Sequence, residues 1–369
     1  MIRNLRGKLQ LLTQSSQPRA EPPTEESCYV RDESEPLSAY KGLTDVTAEH
    51  VRVMTLGESQ PFDIRRALFL DTETTGFSGS GTIAFLIGAG FIEGDRFVTR
   101  LMLTRDYPQE PNQLNLLADL MDDMDWIVTF NGKSFDAPLL RGRFIMQGLR
   151  PRWRELNHID LLHASRRVWK PRLERCTLQR LESALLGIER EDDLPGADVP
   201  ARFFEYLKTG RFSLLDDVMR HNTQDVRTLA LLLTALARAY DQAEEQPSAL
   251  DVLALGRSLH RAGDIERARR CFSVASVGAT AGMARVALAD SYKRGGAWEQ
   301  ARGVYERMID CGEGGAFPYT ALAMLAEHRE RDIDKAMVLT REAIRRASAD
   351  ELPGLEKRRA RLQRKQDKR

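Results

Sequence analysis

The stretch Ala67-Leu68-Phe69-Leu70-Asp71-Thr72-Glu73-Thr74-Thr75-Gly76 constrains this chain more than any other. Four apolar residues of the kind that form a buried strand run directly into two carboxylates two positions apart, then into a glycine where the chain turns. Side chains at i and i+2 of a strand point to one face, so Asp71 and Glu73 leave the strand together. Two carboxylates crowded in a half-buried place repel each other by several kcal/mol unless a proton or a cation lies between them. A divalent metal ion is the simplest answer, and a solvated strand end is the alternative. Acids further along the chain decide between them.

A chain of 369 residues is long enough for two domains with ordinary cores. The formal net charge of +1 argues neither for nor against nucleic acid. Its distribution says more: Arg141 to Arg180 holds eleven Lys and Arg against three Asp and Glu, and Leu355 to Arg369 holds eight against two. Such local basic surfaces either bind phosphates or are solvated helix faces. The four cysteines, Cys28, Cys176, Cys271 and Cys311, have no paired spacing, which argues against a disulfide scaffold and a structural zinc site. Met1 to Gln10 is basic without the apolar run of a secretory signal, and Leu229 to Leu236 is too short to span a bilayer. A soluble, cytoplasmic protein with no membrane partner is expected.

Residues 1–36 are expected to be a mobile leader, since Gln14 to Pro36 is rich in Ser, Pro and Glu and has no apolar periodicity. Three strands are predicted at Ala67 to Leu70, Ile83 to Ile92 and Phe97 to Leu103, with Glu93-Gly94-Asp95-Arg96 as a hairpin turn that makes the last two antiparallel. The loop Gly76 to Gly81 lacks the lysine of a nucleotide-triphosphate loop. It either lets a polymer backbone come close or is plain turn chemistry. A helix is predicted over Pro111 to Met124, a strand over Trp126 to Phe130 and a helix over Ala137 to Gln147. A fifth strand is predicted at Ile159 to Leu162, helices at Leu178 to Leu186 and Ala201 to Leu207, and two helices within Leu214 to Ala239. Three antiparallel strands, a helix, a strand and a helix is the order of a ribonuclease-H-like α/β core, a mixed sheet with flanking helices, here assigned to residues 37–246.

After Gln246 three segments repeat one another, centred on Gly263 to Ala268, Gly296 to Ala301 and Arg331 to Ala336. The matching alanines are 33 and 35 residues apart. This pattern over residues 247–350 resembles degenerate tetratricopeptide repeats, all-α helix pairs that bury their faces by stacking. Such stacks offer a groove for a protein partner. Residues 351–369 form a basic C-terminal tail, either a phosphate contact or a frayed helix end.

Asp136 opens the helix that follows the Trp126 strand, and Asp225 lies inside a later helix. In a ribonuclease-H-like sheet the first strand is central, so Asp71, Glu73, Asp136 and Asp225 are expected to surround one cavity as metal ligands. Oxygen donors of this kind suit Mg²⁺ or Mn²⁺, and two such ions serve phosphodiester hydrolysis. His221 stands four residues before Asp225, on the same helix face, which makes it a catalytic candidate together with Glu73.

With these motifs in place, the chain resembles the DEDD superfamily of 3′-to-5′ exonucleases. It is similar in particular to the bacterial ribonuclease-H-like proteins of the YprB type, related to the proofreading domains of family B DNA polymerases. The resemblance implies that Asp71 and Glu73 stand for the first motif, Phe135-Asp136 preceded by Asn131 for the second, and Asp225 for the third, over roughly Leu68 to Leu233. The superfamily has tyrosine four residues before its last aspartate or histidine five before it. Here histidine stands at the tyrosine spacing, so His221 is assigned to the tyrosine's place, orienting or deprotonating the attacking water.

A single-stranded 3′ end of DNA or RNA is the expected substrate. Trp153 and Trp169 lie among arginines and either stack bases or belong to the core. Phe77 and Phe135 are candidates for wedging the terminal base, with core packing the preferred reading for Phe135. Thr72, Asn131, Lys133, Asn222, Arg141 and Arg143 complete the candidate nucleic-acid contacts. Asp160 reads as a strand-end acid in preference to an accessory ligand. A structure-specific endonuclease and a non-cleaving nucleic-acid-binding repeat scaffold are the competing readings.

Overall fold

The computed structural model describes residues 27–76, 81–151, 153, 155–190 and 194–367. The chain divides into two compact units, the first ending at Asp241 and the second beginning at Gln242.

The first unit is built on a six-stranded mixed sheet in the order β1-β4-β3-β2-β5-β6. Its strands are β1 (Tyr29–Pro36), β2 (Ala67–Thr74), β3 (Ala84–Glu93), β4 (Arg96–Leu103), β5 (Trp126–Thr129) and β6 (Asn157–Asp160). β1, β4, β3 and β2 are antiparallel neighbours, and β5 and β6 continue the sheet in parallel. β2 is therefore interior, and Ala67 to Leu70 are completely buried. Its pairing with β3 runs to Thr74, whereas its pairing with β5 stops at Phe69. Past Phe69 the strand has a neighbour on one side only, and there the two acids emerge.

Helices cover both faces. On one, α2 (Glu110–Asp122) and α3 (Asp136–Met146) bury Leu114, Leu117, Leu140 and Phe144 against Leu68, Leu70 and Ile87. On the other, α6 (Val199–Thr209) and the start of α7 (Asp216–Asp241) pack Phe203, Tyr206, Val218 and Met219 on Phe85, Leu101 and Leu103. The remaining helices of this unit are α1 (Ala48–Thr55), α4 (Leu161–Leu173) and α5 (Leu178–Leu181), the last running on into a π-turn over Glu182–Leu186 that ends at Gly187. Two glycines let α7 approach the sheet. A Cβ on Gly88 would lie 2.0 Å from Asn222 Oδ1, and one on Gly90 would lie 2.6 Å from a Val226 methyl.

The structure corrects three expectations. The expected leader ends in a strand: β1 pairs along all of β4, and its alternating half-buried side chains include Glu33, held by Arg227 at 3.0 Å. The predicted strand Ile159 to Leu162 lies at Asn157–Asp160. Asp160 accepts from the Leu162 amide at 3.1 Å, capping α4, so Leu161 is already helical. Leu214 to Ala239 holds no second helix. After a short 3₁₀ turn at Phe212–Leu215, one 26-residue helix runs through, because no glycine or proline interrupts it.

The second unit is all helical among the described residues: α8 (Ala249–Arg261), α9 (Ile265–Val274), α10 (Ala281–Arg294), α11 (Trp298–Asp310), α12 (Phe317–Leu325), α13 (Ile333–Arg346) and α14 (Leu352–Gln366). The recurring Ala268, Ala301 and Ala336 are completely buried, as are Phe272, Tyr305 and Thr340 four residues on. The basic C-terminal stretch is no frayed end. α14 buries Leu355 and Leu362, and its Arg358, Arg361 and Lys365 converge on the buried Glu327 at 2.9, 2.7 and 2.7 Å.

Candidate functional site

The pleat of β2 sorts its residues between two helices. Leu68 and Leu70 face the core of α2 and α3, and by the period of two Thr72 follows them. Its hydroxyl donates to Asp136 Oδ1 at the start of α3. Asp71 and Glu73 take the opposite face, toward α7. Asp71 Oδ2 accepts from Asn222 Nδ2 at 2.8 Å, and Glu73 Oε1 lies 4.0 Å from His221 Nε2. The same helix carries Asp225, whose Oδ2 is 3.4 Å from His221 Nε2. Three acidic motifs spread over more than 150 positions thus meet at one strand end. A cleft of about 580 Å³ opens there, lined by Asp71, Thr72, Glu73, Phe135, Asp136 and Pro200 among others.

The acids are electrostatically at odds. Burial first, then the charges of Asp225, Asp136 and Glu73 in that order, push Asp71 well above the ordinary carboxylate range, against the hydrogen bond from Asn222. Burial pushes Asp136 up to about 6, opposed mainly by the Thr72 hydroxyl. Burial also raises Asp225, opposed by its neighbours His221 and Arg190. Carboxylates with shifts of this sign favour a proton or a cation among them.

Arg190, which sequence reasoning missed, sits on the third motif. Its Nη2 donates to Asp225 Oδ1, and its Nη1 lies 3.4 Å from His221 Nδ1. Its Nε and Nη2 also donate to the completely buried Glu182 at 2.6 and 2.7 Å. Glu182 further accepts from the Thr228 hydroxyl and, at 3.4 Å, from Gln224. Arg190 stands in the charged segment Ile188-Glu189-Arg190-Glu191-Asp192-Asp193, which has no apolar period to place it. The sequence signal was Glu182, an acid at helical spacing on the face of Leu178, Leu181 and Leu185.

Several expected nucleic-acid contacts lie elsewhere. Trp153 and Trp169 are each 3% exposed, and Trp153 belongs to the core beside Met124 and Phe144, so neither ring is presented for stacking. Arg143 is held by the buried Glu110 through both ends of its fork, at 2.5 Å for the Nε contact, and is a structural ion pair. Asn222 is completely buried and supports Asp71 from behind. Asp160 binds the amides of Asn131 and Lys133 at 2.8 and 3.2 Å, shaping the loop before Asp136 as a strand-end acid. Asn131 accordingly takes a left-handed φ of 68°.

Other candidates remain at the cleft or on the surface. Phe135 is 54% exposed at the cleft wall, which corrects the preferred core-packing reading. Lys133 and Arg141 are exposed, and Asn131 is half-buried on the wall. Phe77 lies outside the described residues.

Carboxylate oxygens in this arrangement fit a divalent cation. Glu73, His221 and Asp225 each offer an atom within 4.8 Å of the others, and the charges of Asp225 and Glu73 bear on the Asp71 carboxyl beside them. Among the described residues no helix is long and apolar enough to cross a membrane.

Residues 68–237 match the family described as the RNase_H superfamily, and the sheet order of the first unit agrees with a ribonuclease-H-like fold. Over 365 residues the chain is 29% identical to the uncharacterized protein YprB of Bacillus subtilis (strain 168), an alignment spanning 92% of this chain and 87% of that protein. Among solved structures, the family B DNA polymerase of the hyperthermophilic archaeon Pyrobaculum calidifontis aligns at 17% identity with a TM-score of 0.37. That alignment covers 64% of this chain and 30% of the polymerase.

Proposed function

We propose that the protein is a metal-dependent 3′-to-5′ exonuclease of the DEDD type that hydrolyses phosphodiester bonds at single-stranded DNA or RNA ends in the cytoplasm. The observation that carries the reading is the meeting of Asp71, Glu73, Asp136 and Asp225 at the end of β2, where Thr72 binds Asp136, Asn222 binds Asp71 and His221 lies between Glu73 and Asp225. Acids from β2, α3 and α7 gathered this closely favour a bound cation, and Arg190 offsets Asp225 among them.

Asp71, Glu73, Asp136 and Asp225 are the residues proposed to hold two Mg²⁺ or Mn²⁺ ions. When bound, such ions acidify a water and offset charge on the departing 3′ oxygen. The chain's own groups do the rest. Thr72 and Asn222 fix the orientations of Asp136 and Asp71 through the bonds described above. Phe135, exposed beside Asp136, is proposed to stack on the terminal base, and Lys133 and Arg141 to follow the phosphates.

For His221 the geometry favours orienting the water over accepting its proton. A guanidinium only donates, so Nδ1, facing Arg190 Nη1, takes the acceptor role and the ring hydrogen sits on Nε2 toward Asp225. The helical second unit, read as tetratricopeptide-like repeats, is proposed to bind a protein partner.

The test is an end-labelled single strand incubated with the full chain and Mn²⁺ or Mg²⁺. Stepwise shortening from the 3′ end is expected, abolished by chelation and by Asp71→Ala. Undiminished hydrolysis by that variant would refute the site, and cleavage of a circular substrate would replace the exonuclease reading with an endonuclease.

A further inference from the structure

We infer that Arg190 is a positioning residue of the third acidic motif: a resident cation on Asp225 that sets which carboxylate oxygen remains for an added metal ion. The inference rests on the nuclease reading and concerns a residue outside its ligand set.

Three observations carry it. First, Arg190 bridges Asp225 Oδ1, His221 Nδ1 and both oxygens of Glu182, so one planar fork organises the whole motif. Second, Glu182 is 0% exposed and collects the Thr228 and Gln224 side chains as well. A carboxylate withdrawn this far from water requires its cation, so Arg190 is anchored from behind and does not behave as a surface arginine that leaves when a divalent ion arrives. Third, with Oδ1 taken, Asp225 presents Oδ2, the oxygen 3.4 Å from His221 Nε2 on the side of Glu73.

The consequence is an acidic site whose appetite for cations is set below what four carboxylates imply. An ion on Asp225 is held through Oδ2, and part of the aspartate's charge is offset before that ion arrives. Glu182 acts in the opposite sense, since its own negative charge offsets Arg190. Removing Glu182's charge alone and removing both charges therefore have opposite signs.

The experiment measures Mn²⁺ binding to the full chain without substrate, reading unbound Mn²⁺ by electron paramagnetic resonance. Glu182→Gln, which removes the negative charge of Glu182 from Arg190 and leaves Arg190 on Asp225, is expected to weaken binding. Glu182→Gln combined with Arg190→Gln is expected to tighten it, each by a factor of about three to ten, the scale of one partly screened charge at short range. If the double variant shows no cooperative melt, the sign of the Glu182→Gln effect decides. Unchanged or tighter binding in Glu182→Gln, or weaker binding in a folded double variant, would overturn the inference. Asp71→Ala is measured alongside: retained Mn²⁺ binding there would sink the metal reading itself, whereas loss there with unresponsive Arg190 variants would sink this inference alone.

Discussion

At the scale of single residues, the chemistry lies in groups whose surroundings disfavour their charge. Asp136 has a folded value of about 6 against an ordinary 3.8, so the metal-free fold binds its proton more tightly than the unfolded chain does. The stability this contributes is fully present below about pH 4 and is lost as pH rises through 6, on the order of 3 kcal/mol. Asp71 and Asp225 are raised as well and act in the same direction. Denaturant unfolding of chelated protein should therefore show Asp136→Asn gaining on the unsubstituted chain between pH 4 and pH 7. A constant difference across that range would contradict the burial argument. Trp153→Ala should cost about 3–5 kcal/mol by emptying a packed core position, while hydrolysis per folded molecule stays unchanged. The four acids were legible in the sequence because a strand period and a helix period each leave a spacing to read. The burial of Trp153 and Trp169 was not, since an aromatic ring among arginines looks the same whether its partners are bases or leucines. Arg190 escaped for a related reason: no spacing links a loop residue to the helix it reaches.

At the scale of elements, the site depends on how closely α7 lies against the sheet. Gly88 permits that approach, and Gly88→Ala would set a methyl 2.0 Å from Asn222 Oδ1 and 2.9 Å from Val226 Cγ2. Overpacking of this kind costs about 1–3 kcal/mol. More telling, it should displace Asp225 and Asn222 from Asp71, so Mn²⁺ affinity should fall in a protein that still melts cooperatively. A folded Gly88→Ala protein with normal Mn²⁺ affinity would show that the approach of α7 is not what places the third motif. The hydrophobic runs made β2 to β5 and the helices around them readable. The edge strand β1 was hidden because its outer face meets solvent and its inner face is only half-buried, so Ser, Pro and Glu looked like a leader. The continuity of α7 follows from an absence, namely no breaker between Asp216 and Asp241, which counts for less than a positive signal when a boundary is being assigned.

At the scale of the whole molecule, all four acids, His221 and Arg190 belong to the first unit, which ends at Asp241. Removal of residues 247–369 should therefore leave hydrolysis of a short oligonucleotide in place while abolishing binding of any partner that the helical unit holds. Loss of hydrolysis in a folded truncated chain would mean that the second unit completes the site. The period of 33 and 35 residues made the second unit legible as helix pairs, and the buried alanines explain why those positions stay small. The central claim is that carboxylates from three distant segments hold divalent cations at the end of β2. Diffraction from a Mn²⁺-soaked crystal at the manganese absorption edge tests it most directly. An anomalous peak about 2.2 Å from an oxygen of Asp71, with Glu73, Asp136 or Asp225 completing its shell, is the expected result. Saturating Mn²⁺ with no peak among these four acids would contradict it.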